Sequence, residues 1–347
     1  MYIRKIIIAV LLLGIIVGLV FVYRIYTAIF APNTAFNNEE AYIYVSTGAP
    51  FGEVRDQLEP LLKNIGTFEK VAERKGYASS PKAGKYVIKK GMSNNDIVNT
   101  LRSRNTPVKV SFNNQETLEK LAGRIAAQIE ADSVSLVEAF RDKAFLDSIQ
   151  FKEDEALGMY IPNSYEFFWN TSAMDFRERM LKEYDRFWNE ERLARARTQN
   201  LTKAQVMALA AIVQKETARV DERPRVAGVY LNRLRKNILL QADPTVIYAL
   251  RRHTGDYDTV IKRVLYKDLE IDSPYNTYKY AGIPPGPIAM PDISAIDAVL
   301  HPEKHDYFYF VADINQPGYH KFSKTLAQHN ANKREYVNWL NKQNVNR

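Results

Sequence analysis

An uncharged apolar run near the start of the sequence most limits what the rest of the chain can become. Residues 6–23 read IIIAVLLLGIIVGLVFVY, eighteen positions without a charge, and Arg4, Lys5 and Arg24 flank them. A helix of about 20 such residues can cross the hydrocarbon core of a bilayer. A cleaved signal peptide usually has a shorter apolar stretch and a small-x-small site, and the following residues TAIFAPN lack such a site. We therefore expect a retained transmembrane anchor over residues 6–24.

The charges beside this anchor predict its orientation. By the positive-inside rule, Arg4 and Lys5 place a cytoplasmic tail at residues 1–5. The rest of the chain then lies in the periplasm or another extracytoplasmic space, as in a single-pass protein of the cell (inner) membrane. Residues 25–40, which include the polar stretch APNTAFNNEE, are expected to form a linker between the membrane and the first domain.

Composition and charge exclude several function classes. The 347 residues are 46% hydrophobic and 25% charged, which is a globular composition, and the length favours more than one folded unit. The absence of cysteine excludes disulfide scaffolds, thiolate metal sites and thiol catalysis. A net charge of +8 suits nucleic acid, anionic lipid or an acidic polymer. Outside the cytoplasm, we expect an acidic polymer or the anionic membrane surface as the partner, and no nucleic acid.

An internal repeat follows the linker. YIYVSTGAPFGEVRDQL (Tyr42–Leu58) aligns with KYVIKKGMSNNDIVNTL (Lys85–Leu101) at an offset of 43, which matches Gly48 with Gly91. Each copy reads as a short alternating strand, a glycine turn and an amphipathic helix. Two copies are too few for a solenoid, so the pattern predicts one small α+β module over residues 41–106.

The remaining sequence is mainly helical in pattern. Residues 107–150 combine a β-prone stretch with helical spacing of leucine and isoleucine, and we expect a connecting helical region there. Residues 151–347 are expected to form a second, mainly helical domain with some strands. The chain as a whole is therefore expected to be α+β.

One helix of the second domain carries a carboxylate on its apolar side. Thr202 and Gln205 have the spacing of a capping box, and the helix that they open is expected to run to about Val220. Glu216 continues the stripe that begins at Val206. Burial would raise its carboxyl pKa, as a general acid near neutral pH requires. Position alone leaves open a structural ion pair with a nearby arginine, either Arg219 or Arg223.

Several long motifs resemble, in order, those of the YceG-like family of endolytic murein transglycosylases. They are ALAAIVQKET (Ala208–Thr217), RVAGVYLNRL (Arg225–Leu234), LLQADPTVIYAL (Leu239–Leu250), SPYNTYKYAGIPPGPI (Ser273–Ile288) and HKFSKTLAQHN (His320–Asn330). The resemblance covers about residues 40–335. It implies that the duplicated module is LysM-like and that the C-terminal domain cleaves peptidoglycan glycan strands. The products would carry 1,6-anhydro-N-acetylmuramic acid ends.

The resemblance also implies roles for individual residues. The family's catalytic glutamate falls on Glu216, and the glutamate that precedes it in the family motif is Gln214 here. A transglycosylase can use one carboxyl group as acid and then as base, whereas glycosidases ordinarily need two. Residues expected to line the sugar-binding cleft are Gln241, Asp243, Thr245, Tyr275, Asn276 and Thr277, with Tyr278 as another stacking candidate. A role for Asn232, His329 and Asn330 in the site is implied by the resemblance alone.

Three functions remain open at this point. The first is a membrane-anchored lytic transglycosylase that acts on glycan strands, as the resemblance implies, beside the peptidoglycan synthases of the elongation machinery. The second is a hydrolytic muramidase with Asp243 as its second carboxylate, and the third is a non-catalytic peptidoglycan-binding scaffold. Asp243 and Pro244 also have the pattern of a helix start, with Asp243 as the N-cap. His301 and His305 do not match a known zinc motif, so neither metal nor cofactor is expected.

Overall fold

The computed structural model describes residues 2–342, which divide into two folded units. Unit 1 comprises the described parts of Met1–Val110, Ala127–Ala131 and Tyr165–Ser172. Unit 2 comprises the described parts of Ser111–Ala126, Asp132–Ser164 and Ala173–Arg347.

Helices and strands are mixed in the chain, which confirms the α+β prediction. The helices are α1 (Tyr2–Phe30), α2 (Phe51–Leu58), α3 (Ile65–Arg74), α4 (Asn94–Ser103), α5 (Leu118–Ala126), α6 (Ser133–Arg141), α7 (Lys143–Ser148), α8 (Ala173–Phe187), α9 (Glu190–Thr198), α10 (Lys203–Glu216), α11 (Arg223–Arg235), α12 (Asp243–Thr254), α13 (Ile293–Leu300) and α14 (Leu326–Lys342). The strands are β1 (Glu40–Val45), β2 (Gly84–Lys89), β3 (Pro107–Phe112), β4 (Asn163–Phe168), β5 (Tyr309–Ala312) and β6 (His320–Ser323). They pair two by two in chain order.

Helix α1 has the length and composition of a membrane span. Its most apolar 18-residue window has a mean hydropathy of 3.2, and none of that window is buried by the protein. The helix extends seven residues beyond Tyr23, where the apolar run ends. Near its C-terminal end, the Ala28 carbonyl accepts a hydrogen bond from Asn94 Nδ2 (2.8 Å), and Ile29 packs against the core of unit 1.

The predicted linker differs from the structure. Residues 25–30 belong to α1, and the segment after it is bound to unit 1 rather than extended from it. The Asn33 backbone N–H donates to the Met92 carbonyl (2.9 Å), and the Asn33 carbonyl accepts from Lys63 (2.7 Å). The side chains of Asn33 and Thr34 are buried. Because these polar groups find partners within unit 1, the segment has a fixed conformation despite its linker-like composition.

The duplicated segments form the α+β module that the repeat predicts. Strands β1 and β2 pair antiparallel, with Glu40 opposite Lys89, and α2 and α3 connect them. Gly48 and Gly91 have φ angles of 77° and 81°, which glycine adopts at little cost. The strand, glycine turn and helix are therefore confirmed in both copies, while the LysM-like assignment stays a prediction.

Unit 2 is built around α10. Nine consecutive residues of this helix, Val206 to Gln214, are buried, so the helix is enclosed on all sides rather than on one stripe. The capping box is confirmed, because Thr202 Oγ1 accepts from Gln205 N (3.2 Å) and Gln205 Oε1 accepts from Thr202 N (2.9 Å). The helix ends at Glu216, four residues before the predicted end.

The predicted boundary at residue 150 does not separate the two units. Ser111–Ala126 and Asp132–Ser164 both belong to unit 2, together with the residues predicted as the second domain. Most of the predicted connecting region is thus part of unit 2.

Candidate active site

Glu216 lies at the wall of a polar cleft in unit 2. As the last residue of α10, it is only half-buried, while Val206 to Gln214 earlier in the helix are buried. The cleft has a volume of about 420 Å³. Its lining residues are Glu216, Tyr230, Arg233, Leu240, Gln241, Asp243, Tyr278, Tyr309, Phe310, Leu326, His329, Asn330 and Lys333.

The surroundings of Glu216 favour its protonated form. Its carboxyl pKa is raised to about 7, chiefly by burial and in smaller part by the nearby charge of Asp243. The hydrogen bond from Tyr230 and the charges of His320 and Arg233 act in the opposite direction. The negative end of the helix dipole also disfavours a carboxylate at this position. The direction of the shift agrees with the expectation for a general acid.

The arginines that the sequence offered as ion-pair partners for Glu216 bind elsewhere. Arg223 pairs with Asp292 (Nη1 to Oδ1, 2.7 Å), and Arg219 donates to the Pro317 carbonyl (3.2 Å). The preceding residue of the family motif, Gln214, accepts from Asp292 N (2.6 Å) and donates to the Met290 carbonyl (3.3 Å). Gln214 therefore joins α10 to the start of α13 and is buried.

Tyr230 holds the Glu216 side chain in place. Its hydroxyl donates to Glu216 Oε1 at 2.6 Å from the middle of α11. Burial and the neighbouring carboxylate hold the pKa of Tyr230 well above its usual value, so the hydroxyl remains a donor at neutral pH. One carboxyl oxygen of Glu216 is thus occupied, which leaves Oε2 to carry the proton.

Asp243 and Tyr278 form another part of the cleft wall. The Tyr278 hydroxyl donates to Asp243 Oδ1 (2.5 Å), and burial together with this bond raises the Tyr278 pKa. Asp243 is the first residue of α12, whereas Ala242 is the N-cap. The N-cap prediction was wrong by one position, because the Asp243 side chain binds Tyr278 instead of a backbone N–H at the helix start.

Arg233 fixes the loop that leads to Asp243. It is 7% exposed, and its guanidinium donates to the carbonyls of Leu239 (2.9 Å), Leu240 (3.0 Å) and Phe308 (2.6 Å). It also donates to Gln241 Oε1 (3.3 Å). Gln241, with φ at 51°, is exposed at the cleft. Arg233 thus connects α11 both to this loop and to the residue before β5.

Three of the predicted cleft residues are buried in the scaffold. The hydroxyls of Thr245 and Thr277 lie 2.8 Å apart, and Thr277 Oγ1 accepts from Ala242 N (3.0 Å). Asn276 Nδ2 donates to the carbonyls of Leu269 and Ile271. All three side chains are at most 2% exposed. The structure therefore places all three in the scaffold, where Thr245 and Thr277 support the loop that carries Gln241 and Asn276 binds the segment before it.

Two other predicted residues lie away from Glu216. Tyr275 is 1% exposed and packs on Tyr248, with ring centroids 4.7 Å apart. Asn232 Nδ2 donates to the carbonyls of His305 (2.8 Å) and Tyr307 (3.1 Å), and Asn232 lines a separate cavity of about 720 Å³. Of the residues predicted to bind sugar, the structure brings Gln241, Asp243 and the stacking candidate Tyr278 together with Glu216.

The β5–β6 hairpin and α14 supply cleft residues that sequence patterns did not indicate. Tyr309 and Phe310 belong to β5, and Lys333 to α14. His329 of α14 stacks on Tyr309, with centroids 5.2 Å apart, and burial lowers the His329 pKa. His329 and Asn330 were suggested by the family motif alone.

A buried contact between Glu222 and His320 joins this hairpin to the segment before α11. Glu222 Oε2 lies 2.7 Å from His320 Nδ1, and Glu222 Oε1 accepts from the His320 backbone N–H (2.7 Å). Burial would raise the Glu222 pKa, but the bonds from His320 outweigh it and the pKa is lowered. This pair sets His320 near enough to influence Glu216 through its charge.

Metal ligation has no support in the part of the chain that the structure describes. Within residues 2–342, no group of three or more His, Asp or Glu side chains could hold an ion. His305, one of the two histidines at helical spacing, instead lies 2.9 Å from the Arg225 carbonyl through its Nε2.

Comparisons with known proteins agree with the motifs. The profile of the YceG-like family matches residues 43–335. A protein named endolytic murein transglycosylase from Bacillus subtilis (strain 168) is 32% identical over 298 residues, which cover 81% of this chain and 80% of the relative. A protein of the same name from Streptococcus pneumoniae serotype 2 (strain D39 / NCTC 7466) is 30% identical, covering 85% of this chain and 59% of the relative.

A solved structure is similar as well. A 2.6 Å crystal structure of a yceG-like protein from Listeria monocytogenes superposes with a TM-score of 0.57 at 30% identity, covering 85% of this chain and 99% of that one. The profile match spans most of the sequence, and the relatives share about a third of its residues over most of its length. This chain therefore belongs to the YceG-like family.

Proposed function

We propose that this protein is a membrane-anchored endolytic lytic transglycosylase of peptidoglycan, with Glu216 as its catalytic residue. The observation that carries the proposal is the raised pKa of Glu216, about 7, at a polar cleft. A carboxyl group with a raised pKa keeps a protonated population near neutral pH, which suits a general acid. The names of the Bacillus and Streptococcus relatives point to the same activity.

The chemistry needs one carboxyl group used twice. Protonated Glu216 donates its proton to the glycosidic oxygen as the bond from that oxygen to muramoyl C1 breaks. The Glu216 carboxylate then takes the proton from the muramoyl C6 hydroxyl as its oxygen bonds to C1, which closes the 1,6-anhydro ring. Glu216 ends protonated, and no water is consumed. An oriented internal hydroxyl can reach effective molarities of about 10⁵ M or more, which explains how it outcompetes water.

Hydrolysis is the second candidate, because Asp243 lines the same cleft as Glu216. A hydrolase would use one carboxyl group as acid and the other to attack C1 or activate water. Asp243 is exposed but already accepts a hydrogen bond from Tyr278. Under the proposal, Asp243→Asn retains anhydro products. Under hydrolysis, the same variant loses activity.

Product analysis of purified sacculi tests the proposed function. The full chain in detergent should release fragments with anhydromuramoyl ends, as detected by mass spectrometry of the muropeptides. Glu216→Gln should lower the rate by at least about a hundredfold, since general acid–base catalysis contributes about that much. Unchanged cleavage by Glu216→Gln would contradict the assigned role. A wild-type protein that binds sacculi without cutting them would instead indicate a scaffold.

Helix α1 and the α+β module of unit 1 have proposed roles as membrane anchor and glycan-binding module. We infer that α1 spans the cell membrane with the amino terminus in the cytoplasm, so that both units face the peptidoglycan. The module of unit 1 is proposed to be LysM-like and to bind glycan. The protein would act beside the synthases that extend the strands.

A further inference from the structure

We propose that a groove beside α12 binds a sugar residue of the same glycan strand, away from the bond that is cleaved. This inference rests on the proposed function. The groove, called the α12 groove below, consists of two adjoining cavities of about 200 and 650 Å³ that share Glu116 and Tyr248. Tyr257, Pro287 and Ile288 also line it.

The α12 groove begins beside the cleft and leads away from it. Lys215 and Pro244 line its smaller cavity, and their chain neighbours Glu216 and Asp243 line the cleft. Tyr248 follows Asp243 by five helical residues and Arg252 by nine. At 1.5 Å per residue, these positions lie about 7.5 and 13.5 Å along the helix. A strand with its scissile bond at Glu216 can therefore continue along α12.

Aromatic rings form one side of the groove. Tyr248 and Tyr257 are half-buried, and their ring centroids lie 6.0 Å apart at an interplanar angle of 61°. The buried ring of Tyr275 supports Tyr248 from behind. A pyranose has an apolar C–H face that can pack on a tyrosine ring while its hydroxyl groups remain free to hydrogen-bond. The sequence analysis expected Tyr275 to contact sugar, but Tyr275 is buried, and we propose that Tyr248, which packs on it, makes this contact instead.

The charges of the groove favour an uncharged ligand. Among its described lining residues are five cationic and six anionic side chains, and most of them form ion pairs. The pairs are Lys120–Asp258 (2.7 Å), Arg141–Glu119 (2.5 Å), Arg252–Asp154 (2.5 Å), Lys215–Glu116 (2.5 Å) and Arg251–Glu116 (2.6 Å). Such a surface offers donors and acceptors to hydroxyl and N-acetyl groups. It lacks the positive excess that an acidic stem peptide would need.

A proline-rich segment, residues 284–287 (PPGP), closes the other side of the groove. Pro287 and Ile288 line the two cavities, and Gly286 immediately before them approaches Asp154 closely. A Cβ atom at Gly286 would lie 1.7 Å from the Asp154 carbonyl oxygen, so glycine is required there. Two flanking prolines restrict this backbone further. The wall is therefore rigid before any ligand binds, which lowers the entropic cost of binding.

Binding by an inactive parent tests the inference. The full chain carrying Glu216→Gln is titrated in detergent with long glycan strands and with a single disaccharide. Adding Tyr257→Ala should weaken binding of long strands about five- to tenfold and leave disaccharide binding unchanged. Tyr257→Phe keeps the ring and should retain the affinity. Tyr266→Ala, at a residue that is 86% exposed and outside the groove, is the matched control.

Two results would overturn the inference. One is equal affinity of the parent and Tyr257→Ala for long strands, and the other is an equal loss of affinity for strand and disaccharide. Circular dichroism shows whether each variant is folded. If the wild type cleaves strands and either result is found, only the inference that the α12 groove binds sugar is contradicted. If the wild type cuts no strand, the proposed function itself is contradicted.

Discussion

At the residue scale, the acidity of Glu216 is decided by its immediate neighbours. Its position at the end of a buried helix removes water from the carboxyl group, and burial is the largest cause of its raised pKa. Six residues later, Glu222 is more deeply buried but has a lowered pKa because two bonds from His320 stabilise its charge. The two glutamates show that the available partners, and not burial alone, determine the protonation state.

Replacing each glutamate with glutamine should give opposite effects of pH on stability. Glu216 has a folded-state pKa of about 7 and an unfolded value near 4.3, so its ionisation destabilises the fold as pH rises between these values. Glu216→Gln should therefore gain stability relative to wild type from pH 4 to 7, by up to about 3 kcal/mol. Denaturant unfolding at several pH values measures this.

Glu222→Gln is the matched comparison. The lowered pKa of Glu222 contributes stability above the unfolded value, and this contribution is lost as pH falls through the folded pKa. Glu222→Gln should thus be destabilising at pH 7 and less so at pH 3. Parallel pH trends for the two variants would show that the pKa shifts are wrongly assigned.

Tyr230→Phe tests how the Glu216 proton is controlled. The Tyr230 hydroxyl stabilises the carboxylate, so its removal should raise the Glu216 pKa. We expect the alkaline fall of kcat/KM, which reports the free enzyme, to move upward by up to about one pH unit. A downward shift of the profile would mean that Tyr230 does not stabilise the anion.

At the element scale, the sequence predicted features formed by residues close together in the chain, but it did not predict which distant segments pack against one another. The capping box at Thr202 and the glycine turns at Gly48 and Gly91 depend on residues a few positions apart, and all three occur as predicted. Tyr230 reaches Glu216, and Tyr309 reaches the same cleft, only through packing of α11 and the β5–β6 hairpin. No local spacing encodes that approach. For the same reason, the sequence does not show whether a polar residue such as Thr245 faces the cleft or is buried in the scaffold.

Arg233 is the residue on which this assembly most depends. Its guanidinium binds three carbonyls in two different segments, and it is almost fully buried. Arg233→Met should lower the free energy of unfolding by about 3 kcal/mol, because the variant leaves buried carbonyls without donors. Arg235→Met changes an exposed arginine of the same helix and should cost less than about 0.5 kcal/mol. Equal losses in chemical denaturation would contradict this role.

At the scale of the whole molecule, helix α1 continues directly into the rest of unit 1. Helix α1 extends past the apolar run, and Asn33 in the next segment hydrogen-bonds to Asn94 (2.7 Å). The composition of residues 31–40 indicated a linker, because sequence alone does not show which polar groups find partners. The structure instead supplies a partner for each of the buried groups described there.

This continuity predicts slow exchange in the joining segment. The Asn33 and Ala35 amides, which donate to the carbonyls of Met92 and Leu61, should be protected from hydrogen exchange in the full chain. Asn94→Ala removes partners of both Ala28 and Asn33 and should reduce that protection at least about tenfold. Mass spectrometry of exchanged peptides from the detergent-solubilised protein measures it. Rapid exchange in wild type would indicate a mobile linker.

The central claim is that an internal hydroxyl, and not water, displaces the glycosidic oxygen with Glu216 as acid and base. Digestion of sacculi in oxygen-18-enriched water, followed by mass spectrometry of the new muramoyl ends, tests it most directly. The account predicts anhydro ends with no heavy oxygen from the wild type and almost no product from Glu216→Gln. Reducing ends that contain one solvent oxygen would contradict it and establish hydrolysis instead.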